Sequence, residues 1–193
     1  MIALFAALTG VGITVYLSKS QNRAQFIVVR AQLPEALALV DVYLDQYLLV
    51  LQETLQKLGT PAGNKQVLDA VQPKLDIEYK ATFATCIAYG PAELRSALTE
   101  ISKQLQIHKS RMSSLIEQEF QPRSNYAISE INLMSELKSV CKTRAQINNL
   151  YPFARFETEY ITLTAELSDI LNAACQLNGS TLAKLNDYLK DSN

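Results

Sequence analysis

The chain of 193 residues has no tryptophan, one histidine and six glycines, and its first eighteen residues carry no charged side chain. Each shortage removes a class of function. A lone histidine, His108, cannot build a multi-histidine metal site. No glycine-rich phosphate loop, GxSxG or HExxH occurs, so the usual phosphate cradle, serine elbow and zinc-peptidase helix are absent. The three cysteines, Cys86, Cys141 and Cys175, are far apart, odd in number and form no CxxC. That pattern fits reduced thiols, each a small buried hydrophobe, better than a disulfide framework. Formal charge is −1, with no basic block beyond the first flank, which argues against a nucleic-acid partner.

What is present begins with the N-terminal run. Residues 1–18 are mostly apolar, the first three charges after them are Lys19, Arg23 and Arg30, and no acid precedes Glu35. A helical run of about 17 residues covers about 25 Å, the short end of a bilayer span. Tyr16 lies where an interfacial aromatic would, just before the basic flank. A cleaved signal peptide would place its positive charges ahead of the apolar core, and here they follow it. The expectation is therefore an uncleaved single-pass anchor over residues 1–18 and a second unit over residues 19–193. The positive-inside bias would keep Lys19, Arg23 and Arg30, with all that follows, on the cytoplasmic side of an inner membrane.

The remainder has the composition of helices, rich in Leu, Ala, Gln, Glu and Lys. From Leu33 the apolar positions run through Leu37, Val40, Leu44, Tyr47, Leu51, Leu55 and Leu58 in steps of three and four. Pro34 marks a helix beginning or a kink. Gly59 and Asn64 bracket a break. A second helix is expected over residues 65–88, kinked or restarted at Pro73, and a third over residues 92–119, with His108 in its apolar stripe. Ser124 is placed to cap a fourth over residues 125–149, and Tyr151-Pro152 to form a turn. The cleanest stripe is the last: Phe156, Tyr160, Leu163, Leu167, Ile170, Ala174 and Leu177 alternate steps of four and three. It predicts one long helix, bent near Asn178-Gly179-Ser180. One-striped helices joined by Pro/Gly breaks fold back on each other, so the expected class is all-α, an antiparallel helical bundle behind an N-terminal single-pass transmembrane helix.

Two segments resemble the LemA family of bacterial membrane-anchored helical proteins. The first has Asn22, then Glu35-Ala36-Leu37, Val40-Asp41-Val42-Tyr43-Leu44 and Glu53-Thr54. The second has Tyr151-Pro152, Leu163, Glu166-Leu167 and, more loosely, Asn186-Asp187. The chain departs at Leu37, where the family has tryptophan, at Phe153-Ala154, where it has Asp-Leu, and at Asp45-Gln46-Tyr47, where it has a basic run. Residues 92–124 match nothing in it. The resemblance implies a helical bundle on one membrane span and brings no catalytic residues.

Side-chain groupings add little chemistry. His108 reads as a hydrogen-bonded histidine at the bundle seam. Asp41 with Asp45, and Glu166 with Asp169, each share a helix face, whereas Glu117/Glu119 and Glu157/Glu159 point apart. Solvated faces explain them, since a four-helix di-metal site also needs Glu-x-x-His. Tyr43 and Tyr47 share a face and suit either a contact surface or the half-buried seam. Arg144 interrupts an apolar stripe and is the nearest candidate for a polar active-site cluster. The expectation is a non-enzymatic protein with no catalytic, cofactor or metal residues. Its partners would be the bilayer, through residues 1–18, and other proteins. The alternative is an exported periplasmic or extracellular helical sensor that binds a ligand.

Overall fold

The computed structural model describes residues 2–58, 73–120, 129–162 and 164–191; for residues 2–19, 116–120 and 191 it describes the backbone alone. The described residues form six helices and no strand: α1 Ile2–Leu58, α2 Tyr79–Tyr89, α3 Ala92–Phe120, α4 Glu130–Ala154, α5 Leu167–Ala173 and α6 Gly179–Asp191.

Helix α1 is one unbroken rod of 57 residues, about 85 Å long. It passes through Pro34 without ending, although the proline removes one backbone donor. Leu33, Leu37, Val40 and Leu44, on both sides of the proline, are fully buried. That continuous packing outweighs the local cost of roughly 3 kcal/mol. The expected division at residue 18 therefore does not coincide with a break in the helix.

Cross-helix contacts give the directions. Arg30, Asp41 and Tyr47 of α1 meet Phe153, Arg144 and Glu136 of α4 in reverse order, so the two helices are antiparallel. His108 and Arg111 of α3 also reach Glu136. The described residues thus form the helical bundle expected from the stripes, with Leu37, Leu44, Leu51, Leu98, Leu105, Leu137 and Val140 in its core. Among them no helix is long and apolar enough to cross a membrane. The side chains of the expected anchor, residues 1–18, lie outside the described residues.

Several boundaries differ from expectation. Residues 73–78 are not helical. Pro73 offers no amide for a helical bond and, unlike Pro34, has no packed rod among the described residues to carry the chain through it; the Asp76 carboxylate accepts the Glu78 amide at 3.0 Å, and α2 starts at Tyr79. The expected cap Ser124 lies outside the described residues, and Ser129 caps α4 instead, accepting from the Asn132 amide. Tyr151-Pro152 does not end α4, which continues to Ala154.

The largest correction concerns the expected last helix. Residues 156–162 and 164–166 form a non-helical strap, and α5 and α6 follow as helices among the described residues. Phe156 takes a left-handed φ of 61°, where glycine usually stands. Its amide bonds to the Phe153 carbonyl, and that of Glu157 to the Pro152 carbonyl, closing α4 in a Schellman turn. The first members of that stripe are not a buried face, Phe156 being 47% exposed and Tyr160 84%, whereas Ile170, Ala174 and Leu177 are buried. Thr158, Ile161, Thr162 and Thr164 weaken helix propensity through β-branching, and the strap is tied down from outside.

Candidate functional site

Three polar assemblies join the helices, and one open cleft adjoins them. The first lies in the core between α1, α3 and α4. Both oxygens of Glu136 are occupied: Oε1 accepts from the Tyr47 hydroxyl at 3.1 Å and meets His108 Nδ1 at 2.7 Å, while Arg111 donates to Oε2. On the other side of the imidazole, Nε2 faces the Thr143 hydroxyl oxygen at 3.3 Å, and Thr143 spends its own hydrogen on the Ser139 carbonyl. Both ring nitrogens thus face oxygens of the network, Glu136 Oε1 on one side and Thr143 Oγ1 on the other. His108 is completely buried and Glu136 nearly so.

Burial alone would raise the Glu136 carboxyl, but its bonds to His108 and Arg111 and their charges hold it below the ordinary carboxylate range. The neighbouring phenols move the other way. Burial, then the Glu136 charge, pushes Tyr43 up to about 12 and Tyr47 further still. The Tyr43 hydroxyl is buried with no hydrogen-bond partner among the described residues. Tyr43 and Tyr47 are thus core residues and not a contact surface, and His108 sits at the bundle seam as its stripe suggested.

The second assembly centres on Arg144. Its guanidinium reaches Asp41 at 2.7 Å, Asp45 at 2.9 Å, Gln176 at 2.6 Å and the Ala173 carbonyl at 3.2 Å. Burial disfavours its charge, yet Asp41 and Asp45 outweigh that and raise its pKa. Asp41 and Asp45 are therefore not a solvated pair, as their spacing suggested; they rivet α1 to α4 and α5. Arg144 is paired and closed.

The third assembly is built by Arg30, expected as a flank charge and found 4% exposed. Its Nε donates to the Phe153 carbonyl and another nitrogen to the Thr158 carbonyl, both at 2.9 Å, and a third reaches the Glu159 carboxylate at 3.2 Å. Its planar head lies between the Phe153 and Phe156 rings, 3.8 and 4.2 Å from their centres. A cation at the carbonyl end of α4 also complements the helix dipole. Arg30 is thus the clamp that ends α4 and fastens the strap; Asn149 fastens the far end through the Thr164 carbonyl.

Other expected groups fall elsewhere. Glu166 and Asp169 serve the start of α5, where Asp169 accepts the Glu166 amide. Glu157 and Glu159 lie on the strap and not on a helix. The side chains of Glu117 and Glu119 lie outside the described residues. Cys86 and Cys141 are buried, and burial lifts their thiols to about 11 and about 12; Cys175, expected to be buried, is exposed. Among the described residues no group of three His, Cys, Asp or Glu side chains is placed to hold a metal ion. Sequence reading missed Glu136 and the role of Arg30. Both stand in register with buried stripes, Arg30 three before Leu33 and Glu136 three after Leu133, and that was the available signal.

The open cleft, about 480 Å³, lies where α1, the α2–α3 corner and the strap meet. Arg23, Phe26, Tyr89, Pro91, Phe153 and Glu159 line it. Its corner is tight: a Cβ on Gly90 would stand 2.4 Å from the Cys86 carbonyl oxygen and 3.1 Å from the Phe26 ring. Comparison with known protein families, curated proteins and solved structures yields no match to this chain.

Proposed function

We propose that the chain is a single-pass protein of a bacterial inner membrane, held in the bilayer by residues 1–18. Its helical bundle stands on the cytoplasmic side and serves other proteins as a non-enzymatic interaction or scaffold module of LemA-like type. The observation that carries this reading is the course of α1, which runs as one helix from the uncharged segment into the centre of the bundle. An apolar rod joined rigidly to a packed domain suits a tether. The polar assemblies support the non-enzymatic part, because Glu136 is spent on His108, Arg111 and Tyr47, and Arg144 on Asp41, Asp45 and Gln176, and none of these lines the cleft beside α1.

Reporter fusions at the C-terminus, combined with alkaline extraction of membranes, test the reading. The expected outcome is retention in the extracted membrane pellet and a reporter active only in the cytoplasm. A reporter active only in the periplasm would favour the exported sensor, and release at high pH would remove the anchor.

A further inference from the structure

We propose that the cleft beside α1 binds the zwitterionic headgroup of a membrane phospholipid, with its phosphodiester on Arg23 and its primary ammonium on Glu159. The inference rests on the anchoring reading above and deepens it by giving the bundle a specific contact with the bilayer surface.

Height along the helix is the first argument. Arg23 lies five residues beyond Ser18 on the same unbroken rod, a rise of about 7–8 Å. The polar layer outside the hydrocarbon core is about 5–7 Å thick on each side. If residues 1–18 span the core, the cleft mouth stands at the outer edge of the headgroups, and no loop intervenes to alter that height.

Charge is the second. Arg23 is exposed and has no ion-pair partner among the described residues. Across the cleft the Glu159 side chain is 78% exposed; one Arg30 nitrogen reaches both its oxygens, at 3.2 and 3.3 Å, and the rest of the carboxylate faces outward. One open cation and one exposed carboxylate facing a shared space complement a zwitterion. A headgroup with net negative charge would satisfy Arg23 and be repelled by Glu159. A quaternary ammonium would have no proton to donate to that carboxylate.

Shape is the third. Phe26, Tyr89 and Pro91 give the cleft an apolar wall, suited to the methylenes that join phosphate and ammonium in the headgroup. Ile27, Val28, Tyr89, Phe156 and Tyr160, all at this end of the bundle, leave between 41% and 84% of their surface exposed. Aromatic and aliphatic groups beside an arginine are the usual composition of a surface at the bilayer boundary.

The test titrates the full chain in detergent with dihexanoyl phosphatidylethanolamine, phosphatidylcholine and phosphatidylglycerol, and with free phosphoethanolamine, read by native mass spectrometry. Phosphatidylethanolamine should bind best, by about five- to tenfold, and free phosphoethanolamine more weakly than the lipid. Arg23→Gln, an exposed substitution that leaves the core untouched, should weaken the ethanolamine lipid on the order of tenfold. Glu159→Gln should erase the preference over phosphatidylcholine without weakening phosphatidylcholine itself. Equal binding of all headgroups, no effect of Arg23→Gln, or free phosphoethanolamine binding as tightly as the lipid would each overturn the proposal. So would an acidic peptide or partner protein that competes for Arg23 while the lipids show no preference. Flotation on phosphatidylcholine vesicles reads anchoring separately. Flotation without headgroup preference sinks the cleft and keeps the anchor, and headgroup preference without flotation does the reverse.

Discussion

Replacing Arg30 tests whether a single guanidinium holds the strap and closes α4. In Arg30→Ala the Thr158 carbonyl loses its guanidinium donor, and the Phe153 carbonyl keeps backbone amides alone. Hydrogen bonds to a charged donor contribute about 1.5–3 kcal/mol each. The stacks on Phe153 and Phe156 add about 0.5–2 kcal/mol. The Glu159 pair adds little, because that carboxylate is 78% exposed and screened. Allowing for relaxation of the strap, Arg30→Ala should cost about 4 kcal/mol in urea denaturation. Arg30→Lys keeps the charge but loses the planar fork, and should cost about 2 kcal/mol. Glu159→Gln should cost less than about 0.5 kcal/mol. Amide exchange should accelerate across residues 156–162 in Arg30→Ala well before the core opens. A loss below about 1 kcal/mol with unchanged strap exchange, or a Glu159→Gln loss as large as that of Arg30→Ala, would refute the clamp.

Four further outcomes are expected. The Glu136 carboxyl is held low, so its contribution is complete above the ordinary carboxylate pKa and fades as pH falls through the folded value. Acid titration of stability should therefore be steeper in the parent than in Glu136→Gln, and parallel curves would contradict the network. The thiols of Cys86 and Cys141 and the phenols of Tyr43 and Tyr47 are raised, so the thiols' contribution is complete below about pH 9 and the phenols' below about pH 10, each falling above that point by up to about 1.4 kcal/mol per pH unit. Chemical denaturation between pH 9 and 11 should show this accelerating loss, and a flat profile would rule it out. Tyr43→Phe removes a buried hydroxyl with no partner among the described residues and should stabilise the fold by about 1 kcal/mol in thermal denaturation; a loss of that size would mean the hydroxyl is satisfied. Gly90→Ala forces the corner between α2 and α3 away from Phe26 and should cost about 1–3 kcal/mol, measured by urea midpoint, whereas Gly179→Ala, which meets nothing, should not destabilise.

The bundle was legible because α1, α3 and α4 carry stripes that coincide with their buried faces: Leu37, Leu44, Leu98, Leu105, Leu137 and Ile147 are all core. The strap was not legible, for the same reason in reverse. Phe156, Tyr160 and Leu167 keep helical spacing by coincidence, and what decides their path is Arg30, more than 120 residues away along the chain. Periodicity records which residues could share a face; it carries no term for a distant side chain that occupies the carbonyls a helix would need. The polar assemblies were half legible. The register of His108 placed it at the seam, and the mutual spacing of Asp41 and Asp45 put them on one face. Neither pattern identifies the third partner, Glu136 or Arg144, because the pairing crosses between helices.

The unbroken path of α1 has a mechanical consequence. Side chains on one α-helix keep fixed azimuths, each residue turning the direction by about 100°. Twisting the first turns about their axis would therefore rotate Arg30, Leu33 and Tyr47 out of seats that admit no slack. The rod acts as a keyed shaft: whatever grips its leading end also sets which flank of the domain faces that surface, and free swivelling is forbidden.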